Sequence, residues 1–78
     1  MIITPEKFNK LSLDAKGEIV FQEGKFLGMR YYYNQKLCLY SVGELFFEVW
    51  YLPDRNAIGK IEILEDLGVI DRYIDANQ

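Results

Sequence analysis

No histidine occurs among the 78 residues, so the commonest general base and metal ligand at neutral pH is missing. Chemistry would have to come from other groups. The one cysteine, Cys38, lies within the apolar run Leu37-Cys38-Leu39-Tyr40, where a thiol behaves as a small hydrophobe rather than as a nucleophile. Glu62, Glu65 and Asp66 offer oxygens to a hard cation, but without the spacing of a calcium loop they read as a solvated strand end. Asp71 and Asp75 beside Arg72 read as a wet helix face. Gly24, Lys25 and Gly28 match neither GxxxxGK nor GxGxxG, so they make no phosphate cradle. The tyrosines include possible proton donors, yet no base or positioned nucleophile accompanies them. The expectation is therefore no catalytic residue, no metal site and no cofactor, with an enzyme the least favoured class.

Composition narrows the remaining classes. A chain of 78 residues makes one domain, of a size at which folding buries only about 60–65% of the unfolded chain's surface. Six Tyr, five Phe and one Trp are a heavy load for so thin a core, and some rings must lie at the surface. The net charge is −3 and no basic cluster appears. The exposed rings of an RNA-binding sheet would need a basic rim, so a nucleic-acid partner is not expected. A lone cysteine forms no intramolecular disulfide and suits a reducing, cytoplasmic setting. Met1-Ile2-Ile3-Thr4 has no signal-peptide pattern and no stretch approaches the roughly 20 apolar residues that span a bilayer, so no membrane role is expected.

Thr4-Pro5-Glu6 has the form of a helix start, with threonine capping free N–H groups and proline at the first helical position. A short helix to about Leu11 would turn Phe8 and Leu11 inward. Ser12 reads as a second cap, with Asp14 in the first turn of a helix running to Glu23 and closed by Gly24 as a left-handed terminator. Glu18-Ile19-Val20-Phe21 suits a strand nearly as well, and Gly17 weakens the helix by about 1 kcal/mol. Strands are expected over Phe26–Tyr33, Lys36–Val42 and Leu45–Leu52, with turns at Asn34-Gln35 and Gly43-Glu44. Glycine first suits a type II′ hairpin. Pro53-Asp54-Arg55-Asn56 is a turn sequence, and Lys60-Ile61-Glu62-Ile63 alternates as a fourth strand within Ala57–Leu64. From Asp66, Leu67, Ile70 and Ile74 fall on one side of a final helix, with Tyr73 beside them and Gly68 weakening it.

Two-residue hairpin loops fix which residues share a sheet face. One face collects Leu27, Met29, Tyr31, Tyr33, Cys38, Tyr40, Val42, Leu45, Phe47, Val49 and Tyr51, apolar enough to be the core. The other carries three rows: Tyr32, Leu37 and Trp50; Arg30, Leu39 and Glu48; Gly28, Ser41 and Phe46. Arg30 and Glu48 would lie about 10 Å apart at the backbone and could meet over Leu39.

The motifs Leu39-Tyr40-Ser41-Val42-Gly43-Glu44, Phe47-Glu48-Val49-Trp50-Tyr51, Pro53-Asp54-Arg55-Asn56 and Ile58-Gly59-Lys60-Ile61 resemble those of a group of short, uncharacterised bacterial proteins. The resemblance spans most of residues 8–74 and implies a helical start, a tyrosine-rich strand, a Lys-Ile strand and a last helix. It implies no activity. Gly59 departs from the group's pattern, which expects a charged residue there, and marks a candidate bulge.

The fold expected is α+β: one or two N-terminal helices, a four-stranded antiparallel meander and a C-terminal helix. A sheet face bearing Arg30, Tyr32, Leu37, Leu39, Phe46, Glu48 and Trp50 is too apolar to stay wet without a reason. Either the C-terminal helix covers it, or it is a protein-interaction face through which the chain self-associates. Cover by the helix is the slightly favoured reading of the face; the second is the leading functional expectation, centred on Trp50 and Tyr32, with a homo-oligomer or another protein as partner. A small-molecule or regulatory domain with an aromatic pocket between sheet and helix is the alternative.

Overall fold

The computed structural model describes residues 4–54 and 57–76, the last three of these in backbone only. It contains α1 (Pro5–Asn9), α2 (Leu13–Glu23), four strands β1 (Lys25–Tyr32), β2 (Gln35–Val42), β3 (Leu45–Tyr51) and β4 (Ile58–Ile63), a 3-10 turn (Leu67–Val69) and α3 (Ile70–Ala76). The strands pair in sequence order as an antiparallel meander. This is the α+β architecture expected. Arg55, Asn56, the first three residues and the Ile74 side chain lie outside what is described.

Both N-terminal caps form as the residue types dictate. Thr4 accepts from the Lys7 N–H at 3.3 Å ahead of Pro5, and Ser12 accepts from the Ala15 N–H at 3.2 Å. Residues 18–22 are helical, because Val20, fully buried, and Ile19 find their partners in the core from α2. Gly24, expected as a left-handed terminator, is extended instead, with φ −87° and ψ 155°. Glycine is needed there for close approach: a Cβ would lie 2.2 Å from the Val20 carbonyl oxygen. The chain thus passes from α2 into β1 without a loop.

The second hairpin turns at Gly43-Glu44 as expected, with Gly43 at φ 59°. The first hairpin does not turn at Asn34-Gln35. Tyr33 takes the left-handed position at φ 56°, and Tyr32 pairs with Gln35. Arg30 therefore lies opposite Leu37 and Gly28 opposite Leu39, which corrects the expected rows. Because the slip is two residues, faces are preserved. A bulge between Phe26 and Gly28 then turns Phe26 to the first face, where its ring meets Tyr40 at 5.6 Å. In the last pair a second irregularity sits where Trp50 opposes Lys60 and Tyr51 opposes Ile58, at Gly59.

The helices lie on both faces. α1 and α2 cover the first face over β2 and β4, building a core of Phe8, Val20, Cys38, Phe47, Val49 and Ile61. Phe8 packs on Phe47 with ring centroids 4.6 Å apart. β1 lies at the margin of this helical layer, with Met29 still packed against the core. Leu27, Tyr31 and Tyr33, expected in the core, are accordingly 41%, 65% and 87% exposed. The expectation failed because a face that is apolar along a whole sheet is buried only as far as its helices reach.

Candidate functional site

The second face is organised around Glu48. The strand register sets it on β3 between Leu39 of β2 and Glu62 of β4. Glu62 turns outward to Lys60 at 3.0 Å, and both side chains are 54% exposed. Such a pair contributes about 0–1 kcal/mol. Glu48 turns the other way and is buried. Its Oε2 accepts from the Arg30 Nη2 at 3.2 Å and from the Tyr73 hydroxyl at 2.6 Å.

Tyr73 arrives there because of how the chain leaves β4. The Leu64 N–H donates to the Phe46 carbonyl at 2.8 Å, carrying the backbone onto the second face. Asp66 then caps the next turn, its Oδ1 accepting from the Gly68 N–H at 3.0 Å. That turn is 3-10 rather than α-helical, so its residues advance about 120° each and the helical phase shifts. Leu67, expected inward, is 57% exposed, while Val69, Ile70 and Tyr73 face the sheet. Tyr73, Leu37, Leu39 and Leu64 form a second buried cluster, flanked by Phe46 and Trp50.

The electrostatics favour a fixed clamp. A carboxylate out of water is costly unless paired and hydrogen-bonded, and Glu48 has a guanidinium and a phenol on one oxygen. Burial, the hydrogen bond to Glu48 and its negative charge push the Tyr73 hydroxyl well above its ordinary range, with Arg30 only partly offsetting them. Tyr73 is therefore held as the donor. The Arg30 guanidinium also lies 5.2 Å from the Tyr73 ring centre and 5.9 Å from that of Tyr32. Among the described residues, the buried Arg30 Nε and Trp50 Nε1 have no hydrogen-bond partner.

Guanidinium, carboxylate and phenol thus converge, as a reactive site would require, but they converge on one another. Tyr73 is 2% and Glu48 8% exposed, so both are buried away from solvent. An open groove among the described residues lies elsewhere, about 550 Å³ between α2 and the start of β4, lined by Leu13, Asp14, Gly17, Glu18, Phe21 and Ile58 among others. Cys38 is buried, and desolvation raises its thiol above the ordinary value despite Lys36 nearby. It is not poised as a thiolate. Among the described residues no group of three His, Cys, Asp or Glu side chains could hold a metal ion, and no helix is long and apolar enough to cross a membrane.

The residues expected to form an open interaction face have separate fates. Leu37, Leu39 and Glu48 are buried beneath the C-terminal segment and are closed to a partner in this state. Arg30, Phe46 and Trp50 are half-buried, and Tyr32 is 44% exposed. What stays open is a rim of rings: Tyr33 meets Tyr32 at 4.7 Å, Tyr32 meets Trp50 at 5.9 Å, and Lys60 sits 4.2 Å from the Trp50 ring centre. The sequence reading missed Tyr73 as a ligand of Glu48. The available signal was a tyrosine on the apolar side of the one helix able to cover a face holding a single central carboxylate. It also missed Phe26, Leu27, Tyr31 and Tyr33 as surface.

No protein-family model matches the chain, and comparison with the curated proteins and with the solved structures gives no match.

Proposed function

We propose that this chain is a small protein-interaction module that self-associates through the aromatic rim of β1, within a reducing, cytoplasmic compartment. One observation carries the reading. β1 is a sheet edge, and Phe26, Leu27, Tyr31, Tyr32 and the adjoining Tyr33 are all exposed. Large apolar side chains gathered on one strand are the kind of surface a soluble domain keeps for a partner, and aromatic residues are the usual interface anchors. The compartment rests on the lone, buried thiol of Cys38. The Arg30–Glu48–Tyr73 cluster has a structural role in this reading, fastening α3 to the sheet.

Sedimentation equilibrium of the wild-type chain tests it. A reversible dimer is expected, and a strict monomer at the highest attainable concentration would overturn self-association.

A second reading has its own observation. The groove beside α2, at about 550 Å³, is within the size range of small-molecule sites, although among the described residues Phe21 is the one ring in its lining. A thermal-shift screen of metabolites with a Phe21→Ala control tests this. Trp50 does not line the groove, so tryptophan fluorescence is the wrong probe.

A further inference from the structure

The two edges of the sheet are protected differently. β4 is short, at 6 residues, is interrupted by the irregularity at Gly59, and presents Lys60 and Glu62 to solvent. Charges and bulges of this kind keep an edge from pairing with another chain. β1 has 8 residues, and its bulge, at Phe26–Gly28, protects only the N-terminal half. Lys25 lies at the far end, and Arg30 is drawn across the second face to Glu48. Among the described residues, no bulge and no free charge interrupts the edge from Met29 to Tyr32.

This stretch has no uncompensated charge with which to select an acidic or basic strand from another protein. Its natural complement is a strand of the same neutral, aromatic composition. We infer that β1 pairs antiparallel with β1 of a second copy, edge to edge, about a two-fold axis at Tyr31. The inference rests on the self-association proposed above and specifies its geometry.

The register follows from the strand itself. Two antiparallel strands oppose residues of the same face, so a two-fold axis perpendicular to the sheet must pass through a residue rather than between two. An axis at Met29 would bring the bulged segment into the ladder. An axis at Arg30 would set two arginine-bearing positions directly opposite each other. An axis at Tyr31 avoids both: Tyr31 opposes its own copy, and Arg30 opposes Tyr32 of the second copy, a pairing already favourable within one chain at 5.9 Å. The first faces of the two copies then join, bringing together the rings that α1 and α2 leave uncovered.

The area sets the strength. Tyr31, Tyr32 and Tyr33 are 65%, 44% and 87% exposed, which at about 200 Å² per ring-bearing side chain offers roughly 400 Å² from each copy. The roughly 800 Å² total lies in the range of weak, transient complexes. A concentration-dependent dimer is the expected state.

The test combines sedimentation with cross-linking on the intact chain. Tyr31→Lys places like charges on the axis at an exposed site and should leave the circular dichroism unchanged while weakening association at least about tenfold. Tyr31→Cys should form a disulfide-linked dimer under mild oxidation, because directly opposed Cα atoms lie about 4.5–5.5 Å apart. The wild-type chain, whose one thiol is buried, should not. A wild-type dimer that survives Tyr31→Lys and is not cross-linked through Tyr31→Cys overturns the β1 geometry and leaves self-association standing. A wild-type monomer overturns both.

Discussion

The Tyr73 hydroxyl donates to Glu48 Oε2 at 2.6 Å, across 25 positions of sequence, with both residues buried. This bond ties the last helix to the third strand. It matters because α3 has only 7 residues, too few to be stable in water alone. The helix and the 3-10 turn before it are held by Tyr73, Ile70 and Val69 on the sheet, and they decide which aromatic residues remain available.

Removing one member of the clamp should cost more than removing two. Arg30→Met leaves Glu48 buried without its counter-charge and should destabilise by about 3–5 kcal/mol. Adding Glu48→Met should recover a large part of that loss. Tyr73→Phe should cost about 1–3 kcal/mol. Urea denaturation of the singles and the double closes the cycle, and additive effects would show that the pair is not coupled.

Alkaline pH should loosen the fold in a defined order. Burial raises Cys38 above 9.0, and raises Tyr40, Tyr51 and most strongly Tyr73 above 10.0. In each case the folded chain keeps a proton that the unfolded chain releases. The stabilisation is fully present below the unfolded value and is lost as pH rises towards the folded one. Unfolding free energy should therefore fall above pH 9.0 and more steeply above 10.0. Tyr73→Phe should flatten the second part of the decline, and an unchanged slope would contradict the assignment.

The two hairpins make a matched pair for testing backbone strain. Gly43 and Tyr33 occupy the same left-handed position, at φ 59° and 56°, but only glycine does so without cost. Gly43→Ala should destabilise by about 1 kcal/mol or more. Tyr33→Gly should be neutral or stabilising by up to about 1 kcal/mol, although glycine loses more entropy on folding. A large loss of melting temperature on Tyr33→Gly would show that the Tyr32–Tyr33 ring contact outweighs the strain.

Local chemistry in the sequence was readable where a residue acts on its near neighbours. Thr4-Pro5 and Ser12 cap their helices and Gly43-Glu44 turns, all from short-range rules, whereas the irregular pairing at Gly59 was implied by the resemblance. The meeting of Arg30 and Glu48 was legible from alternation alone, because a slip of two residues preserves faces. The turn at Tyr33 was not, since a tyrosine at positive φ runs against propensity and is imposed by the register of the strands around it. Tyr73 was hidden by the 3-10 turn before α3, which changes the phase of every later residue. The exposure of Leu27, Tyr31 and Tyr33 depends on how far α1 and α2 extend over the sheet, a matter of tertiary placement that no local pattern encodes.

Hydrogen exchange at the backbone amides of Met29–Tyr32, followed by mass spectrometry or NMR at low and high protein concentration, tests edge pairing most directly. Edge-facing amides of this stretch should slow as concentration rises, while those of β4 keep their rates. Exchange along β1 that is independent of concentration, in samples where sedimentation shows a dimer, would contradict it.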